Sequence, residues 1–184
     1  MEVFENIDFR TTDFEITEYS ECNFIQCKWI DCDLSTVVFS ECIFEDCELV
    51  NCKTYKSSFR DVSFDRCKLL GIPFYQCETL LLSMSFNHCN LELSNFFKLK
   101  LKKTKLTQCD LKQVDFSECD LSESQFLDCN LSGAIFDQTR LEKVDFRGSR
   151  NYSIDPAKNY LKKAKFSESE IRGLLQHLGI EIYS

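Results

Sequence analysis

Residues 21–33 read ECNFIQCKWIDCD and place three cysteines five residues apart, at Cys22, Cys27 and Cys32. Such a group has three interpretations: a metal site, a disulfide framework, or small side chains packed in a core. The chain has 12 cysteines among 184 residues, so the choice between them decides how the whole sequence is interpreted. The spacing itself is informative, because it continues far beyond this stretch.

Almost every fifth position of the chain carries a large apolar residue. One series runs from Phe4 to Phe74 and a second, after a slip of two residues, from Phe86 to Phe146; Thr54 is the one polar member. All twelve cysteines lie two residues before a position of these registers. A period of five fits neither an α-helix nor a β-strand. It predicts a solenoid in which each pentad forms one side of a coil, and similar residues recurring twenty apart predict four sides.

Several pentads resemble a known repeat, among them CDLSE (119–123), CNLSG (129–133) and VDFRG (144–148). They are similar to the pentapeptide repeat, whose pattern is a small residue, Asp or Asn, Leu or Phe, a polar residue and Gly. The resemblance covers about residues 2–166. It implies an all-β solenoid, a right-handed quadrilateral β-helix with the small and large apolar positions inward. Sparse glycine at the fifth position, with frequent Cys and Phe, indicates local variation in turn type.

The slip of two residues falls within residues 77–86, CETLLLSMSF. The simpler interpretation is a bulge at a corner of the coil. The alternative is a small protrusion or a change in coil direction that shapes a docking surface, with Leu80, Leu81 and Leu82 partly exposed.

Residues 1–166 are predicted to form the repeat domain, and residues 167–184 a C-terminal helix with a short strand. Ser167 and Glu170 have the spacing of a helix capping box, and Gly179 is a candidate C-cap. The apolar side chains predicted to share one surface here are Ile171, Leu174, Leu175, Leu178, Ile180 and Ile182. This surface either caps the open end of the solenoid or joins two molecules across a two-fold axis. The tail resembles that of the quinolone-resistance members of the family, which implies a homodimer.

The cysteines are expected to be free thiols in the core. Zinc needs four ligands around one point, whereas a C-x4-C spacing puts successive thiols on different sides of a four-sided coil. Thiols twenty residues apart, such as Cys27 and Cys47, would stack at about 4.8 Å, slightly beyond the Cβ separation that a disulfide prefers. We therefore expect neither a metal nor a cofactor. His88 and His177 lie far apart with no matched nucleophile, so no catalytic residue is predicted and the chain is not expected to be an enzyme.

Charge is the most informative surface feature, because the net charge of −8 disfavours direct binding of nucleic acid. Residues 1–97 carry 17 acidic and 7 basic side chains, and residues 98–105 add five lysines. Twenty-residue coils would stack those lysines on carboxylates, as with Lys103 on Glu123, which predicts a largely compensated surface. The carboxylates expected to form unpaired acidic columns are Glu21, Glu41 and Asp61; Asp13 and Asp33; and Glu45 and Asp65. Such columns either keep the protein soluble or bind a basic partner.

The N-terminus lacks the pattern of a secretory signal, and no stretch has the apolar length of a membrane span, so a cytoplasmic protein is expected. In the quinolone-resistance members, the rod is similar to duplex DNA in width and charge and engages DNA gyrase or topoisomerase IV. The resemblance therefore implies a non-enzymatic DNA mimic that binds a type II topoisomerase and confers quinolone resistance. The alternative is a structural or adaptor protein with an unrelated protein partner.

Overall fold

The computed structural model describes residues 2–10, 17–181 and 183, and these residues form a parallel β-solenoid. Its strands are short because each side of the coil is only five residues long. In chain order they are β1 (Glu2–Glu5), β2 (Glu18–Ser20), β3 (Cys22–Ile25), β4 (Lys28–Ile30), β5 (Val38–Ser40), β6 (Ile43–Glu45), β7 (Glu48–Val50), β8 (Ser58–Arg60), β9 (Val62–Asp65), β10 (Lys68–Leu70), β11 (Met84–Asn87), β12 (Lys105–Thr107) and β13 (Gln125–Leu127).

Each coil presents four faces, as the twenty-residue recurrence predicted. Within the described residues, face 1 is the sheet β1-β3-β6-β9-β11-β12-β13, face 2 is β4-β7-β10 and face 4 is β2-β5-β8. Face 3 lies between faces 2 and 4 along the chain and is joined by isolated parallel bridges, for example between Asp33 and Lys53. Before the slip, paired residues are twenty apart on every face, as Phe24 and Phe44 are on face 1. The right-handed sense of the coil stays a prediction.

The chain turns its corners with residues in the left-handed backbone region. Glu21, Gln26 and Asp31 occupy three successive corners with φ of 52°, 53° and 56°. This conformation costs a non-glycine residue about 1 kcal/mol. In return the amide hydrogen-bonds the next coil, as when the Glu21 amide donates to the Ser40 carbonyl at 2.9 Å. A pentapeptide solenoid can therefore form with few glycines, and its corner side chains point into solvent.

The interior is filled by ladders of aromatic rings. On face 1 the Phe44 ring stacks between Phe24 and Phe64, with ring centroids 4.7 and 4.9 Å away. Phe39 on face 4 meets it edge-on at 5.3 Å. Thr54, the polar exception in the series, is fully buried, and its hydroxyl donates to the Pro73 carbonyl at 2.8 Å. The exception is thus compatible with the core because its polar atom is satisfied.

All twelve cysteines are buried and free, which confirms their prediction as core residues. Apart from Cys77, their thiols donate to main-chain carbonyls, as from Cys47 Sγ to the Phe24 carbonyl at 3.3 Å. Burial raises the pKa of Cys52, Cys77 and Cys119 to about 12, so these thiols stay protonated at neutral pH. Among the described residues, no group of cysteine, histidine or carboxylate side chains is arranged to hold a metal ion.

The register slip forms a bulge at the end of face 4. A short 3₁₀ helix, η1 (Phe74–Gln76), precedes it. The Ser83 amide then donates to the Phe59 carbonyl at 3.0 Å. The two extra residues therefore lie between the hydrogen-bonded part of face 4 and the start of β11 on face 1. Leu82 packs against the core, whereas Leu80 and Leu81 are 64% and 69% exposed. The slip is therefore a corner bulge that exposes two leucines, and a docking role for it stays a prediction.

The C-terminal segment is helical but of the 3₁₀ type, in η2 (Glu168–Leu174) and η3 (Gln176–Leu178). The predicted capping box does not form. Ser167 Oγ instead accepts a hydrogen bond from the Gly148 amide at 2.9 Å, because this side chain continues the ladder of the last coil. Gly179 does end the helix, with a left-handed φ of 63°. No helix among the described residues is long and apolar enough to cross a membrane.

Candidate partner-binding surfaces

Glu21, Glu41 and Asp61 form one column of carboxylates, here called the acidic corner, where face 4 turns into face 1. All three side chains are exposed, and their left-handed φ values of 52°, 54° and 53° aim them from equivalent corners. Coils are about 4.8 Å apart, so like charges repeat at that interval. In the part of the chain that the structure describes, none of the three forms an ion pair. The acidic corner is therefore a line of uncompensated negative charge on a rigid backbone.

The predicted column of Glu45 and Asp65 is not unpaired, because Arg66 forms ion pairs with both carboxylates. The Arg66 guanidinium lies 2.6 Å from Glu45 Oε1 and 2.9 Å from Asp46 Oδ1, and it also pairs with Asp65. Asn87 Nδ2 donates to Asp65 at 2.6 Å. The hydrogen bond from Arg66 lowers the pKa of Asp46. The expectation of an unpaired acidic column was wrong here, since one arginine at a neighbouring corner reaches three carboxylates.

Asp33 is compensated as well. Lys53, one coil further on, places its Nζ 3.5 Å from the Asp33 carboxylate. The Ser35 amide donates to the same carboxylate at 3.0 Å, and hydrogen bonding to Ser35 is the main cause that lowers the pKa of Asp33. Asp13, its predicted neighbour in the column, lies outside the described residues. Of the predicted acidic columns, the acidic corner is thus the one without ion pairs among the described residues.

The lysines of residues 98–105 are less compensated than predicted, since among the described residues only Lys98, with Glu118 at 3.3 Å, and Lys102 form ion pairs. Lys102 Nζ lies 3.3 Å from Asp120, and Lys143 Nζ lies 2.9 Å from Glu123. The hydrogen bond from Lys143 lowers the pKa of Glu123. Lys100 does pair with Asp120 through the backbone, but it is Lys102 that supplies the ion pair to that carboxylate. Lys103, predicted to stack on Glu123, forms no ion pair within the described residues.

The tail offers an apolar surface that differs from the predicted one. Three of the six predicted side chains are exposed, namely Ile171, Leu178 and Ile180, whereas Leu174 and Leu175 are half-buried. Ile182 lies outside the described residues. A 3₁₀ helix has three residues per turn, so Ile171 and Leu174 share one side and Leu175 and Leu178 another. The exposed leucine and isoleucines remain a candidate dimer surface.

Gly173 fixes the tail to the last coil. It is buried, and a Cβ built on it would lie 2.4 Å from the Tyr152 carbonyl oxygen and 2.5 Å from the Tyr152 ring. The Ile154 amide donates to the Gly173 carbonyl at 2.9 Å. A close backbone approach of this kind requires glycine. The candidate dimer surface is therefore held on the solenoid rather than carried on a separate element.

Replacing Gly173 by Ala is expected to displace the tail and to cost about 1–3 kcal/mol, because the new methyl group overlaps Tyr152. The Ile154 amide should lose its protection from hydrogen exchange. Gly179→Ala is the control: its positive φ, which Gly173 does not share, strains an alanine, but nothing lies within 4 Å of the added Cβ. Equal protection of the Ile154 amide in both variants would contradict this role of Gly173.

Sequence comparison identifies the repeat. A model described as a pentapeptide repeat region matches residues 80–150 and 100–174, which together exceed half of the chain. A second model, of eight pentapeptide repeat copies, matches residues 20–53. No individual curated protein matches the sequence.

Solved structures share the fold. QnrB1, described as a plasmid-mediated fluoroquinolone resistance protein, is similar in a trypsin-treated variant form with a TM-score of 0.52 and 20% identity, over 99% of this chain and 98% of that chain. HetL, a pentapeptide repeat protein involved in heterocyst differentiation regulation in the cyanobacterium Nostoc sp., has a TM-score of 0.46 and 15% identity, over 89% of this chain and 84% of that one. At 20% identity the likeness to QnrB1 shows the fold alone.

Proposed function

The chain belongs to the pentapeptide-repeat family, and from this premise we propose that it is a non-enzymatic binding protein whose acidic corner mimics DNA toward a type II topoisomerase. The observation that carries the proposal is the acidic corner itself, three exposed carboxylates in register without ion-pair partners among the described residues. The topoisomerase comes from the resemblance to the quinolone-resistance members. QnrB1, which shares the fold, is named as a fluoroquinolone resistance protein.

The mechanism is electrostatic. A DNA-binding surface on an enzyme is basic, because it neutralises phosphates. Carboxylates spaced at about 4.8 Å along a rigid rod offer such a surface repeated negative charge without ordering a flexible chain. Attraction of this kind speeds association and weakens as salt is added. Glu21 and Glu41 would contribute most, because Asp61 follows Arg60 in the chain.

The tail adds a second element to the proposal. Through Ile171, Leu178 and Ile180 two copies would join end to end, with a two-fold axis that matches the symmetry of a dimeric enzyme. The acidic corner lies in the N-terminal half, so a dimer would present two separate acidic segments. A basic partner would then be contacted on both sides of its own two-fold axis. Occupying the DNA site in this way, in the cytoplasm, would protect the enzyme from quinolones and give resistance.

An adaptor role is the second candidate, and one observation favours it. Arg66 pairs with Glu45, Asp46 and Asp65, so the predicted acidic column without ion pairs among the described residues lies at one corner of the rod. A duplex-like molecule would carry charge on several sides. A surface restricted to one corner also suits a partner with a single basic strip.

A DNA supercoiling assay separates these two candidates. DNA gyrase is assayed on relaxed plasmid with increasing protein, with and without a quinolone. We expect inhibition of supercoiling without the drug, and recovery of supercoiling at intermediate protein concentration when the drug is present. The absence of both effects at micromolar protein would contradict the topoisomerase proposal and leave the adaptor role.

A further inference from the structure

The corner of the solenoid that carries Glu21, Glu41 and Asp61 continues past the bulge. Beyond the bulge, the charge of its side chains changes from negative to mainly positive. Among the described residues, those that adopt the left-handed conformation at this corner are Glu21, Glu41, Asp61, Leu81, Lys103, Glu123, Lys143 and Lys163. The first three are acidic. The last four contain three lysines, here called the basic corner (Lys103, Lys143 and Lys163). One edge of the rod is therefore acidic toward the N-terminus and basic toward the C-terminus.

The adjoining face 4 follows the same pattern. Glu18 on β2 adds a carboxylate beside the acidic corner, and Lys100 and Lys162 add ammonium groups beside the basic corner. Four side chains oppose the pattern: Arg60 beside the acidic corner, and Asp120, Glu123 and Glu142 beside the basic corner, where Asp120 pairs with Lys102 and Glu142 with Arg140. Glu123 is held by Lys143 at 2.9 Å, and Arg60 on β8 precedes Asp61. Their effect is local, so the two ends of the edge keep opposite signs.

Two exposed leucines lie where the charge along this edge changes from negative to positive. Leu80 and Leu81 are 64% and 69% exposed, and Leu81 is the one apolar residue among those described at this corner. The left-handed conformation of Leu81, with φ of 60°, is unfavourable for a leucine by about 1 kcal/mol. Asn or Gly would suit that backbone better. The fold therefore gains nothing visible from this side chain, which points to a contact outside the chain.

We propose that a second copy of this chain docks antiparallel along this edge, with a two-fold axis close to Leu81. In this arrangement Asp61 of each copy faces Lys103 of the other and Glu21 faces Lys143, while Glu41 lies opposite Glu123, which Lys143 pairs within its own chain. The leucines of both copies meet at the axis. A two-fold contact uses the same surface on both subunits, and this edge is self-complementary only when the copies run in opposite directions. A parallel arrangement would place carboxylates against carboxylates.

The contact is a narrow strip. Glu21 and Lys143 are six coils apart, which is about 30 Å at the spacing of adjacent strands. A stable interface buries about 800 Å² on each partner, more than one edge of this rod offers, so the association is weak and sensitive to salt. It also covers the acidic corner. Self-association and binding of a basic partner therefore exclude one another, whatever that partner is.

Sedimentation velocity on full-length protein tests this contact. The tail is first changed to Ile171→Asp with Leu178→Asp, so that end-to-end association does not contribute. One variant then carries Glu21→Lys, Glu41→Lys and Asp61→Lys, and a second carries Lys103→Glu, Lys143→Glu and Lys163→Glu. The parent is expected to dimerise at low salt and to be monomeric at high salt, and each variant alone should dimerise about tenfold more weakly or not at all.

Mixing the two charge variants gives the decisive result. One then has a corner that is basic except at Glu123, and the other a corner that is acidic except at Leu81, so a 1:1 complex should form at low salt. A monomeric parent at every concentration, dimers that either charge variant leaves intact, or a mixture without a complex would each overturn the proposal.

The leucines have a separate test on the same background. Leu80→Ser with Leu81→Asn should weaken dimerisation about tenfold, while urea unfolding shows equal or higher stability, because Asn favours the left-handed conformation. Unchanged dimerisation in this variant would exclude the leucines from the contact and so contradict an axis near Leu81.

Discussion

Neutralising the acidic corner by Glu21→Gln, Glu41→Gln and Asp61→Asn is expected to raise the concentration needed to inhibit DNA gyrase about tenfold or more. These three carboxylates have no ion-pair partner among the described residues, so their full charge is available to a basic surface. The fold should be unaffected. The side chains are exposed, and removing like charges stacked at strand spacing relieves repulsion. The measurement is the supercoiling assay, with thermal unfolding to show that the variant is intact.

A matched control changes the net charge equally at a different place. Glu45→Gln, Asp46→Asn and Asp65→Asn also remove three carboxylates, but all three are paired with Arg66. Inhibition should change much less, because these groups were already neutralised in part. Equal losses in the two variants would show that overall charge, rather than the acidic corner, determines binding.

Replacing Phe44 by Ala is expected to destabilise the protein by about 3–5 kcal/mol. The ring is fully buried and stacks on Phe24 and Phe64 at 4.7 and 4.9 Å. Its loss opens a cavity shared by three coils. In a solenoid each coil is stabilised mainly by its two neighbours, so the damage should extend along the rod. The free energy of unfolding is measured by urea titration.

Ile43→Ala is the control for this prediction, because it lies on the same strand and faces solvent. Ile43 is 41% exposed, and substitutions at such positions usually change stability by about 0.5 kcal/mol or less. Comparable costs at the two positions would mean that the aromatic ladder does not stabilise the solenoid.

The core could be predicted from the sequence because one period governs it. A residue reached by counting in fives points inward wherever it stands, so Phe44 and Cys47 were placed correctly without knowledge of their neighbours. Even Thr54 follows the rule and meets a carbonyl in the core. In a structure built from one repeated unit, the position of a residue within the repeat determines whether its side chain is buried.

The surface could not be predicted to the same extent, because long side chains leave their own column. Arg66 stands at the corner after Asp65, yet it reaches Glu45 and Asp46 in the preceding coil. The lysine paired with Asp120 is Lys102, not the one in register with it. The twenty-residue period predicts only which residues pair through their backbones. The ion pairs depend on how far the Lys and Arg side chains extend from their own column.

The tail differed for another reason. A capping box was predicted from Ser167 and Glu170, but both side chains accept hydrogen bonds from the last coil, at Gly148 and Asn151. The close contact of Gly173 with Tyr152 then favours a tight 3₁₀ path. In so short a segment, packing of the tail against the last coil outweighs the local sequence signals for an α-helix.

Competition with DNA tests the acidic corner most directly. Fluorescently labelled linear duplex is bound to DNA gyrase, and its anisotropy is followed as the unmodified protein is added. We expect the duplex to be displaced completely, at a protein concentration that rises with the amount of duplex present, since both ligands would occupy one basic surface. A duplex that stays bound at every protein concentration, or an enzyme that holds the protein and the duplex together, would contradict DNA mimicry by Glu21, Glu41 and Asp61.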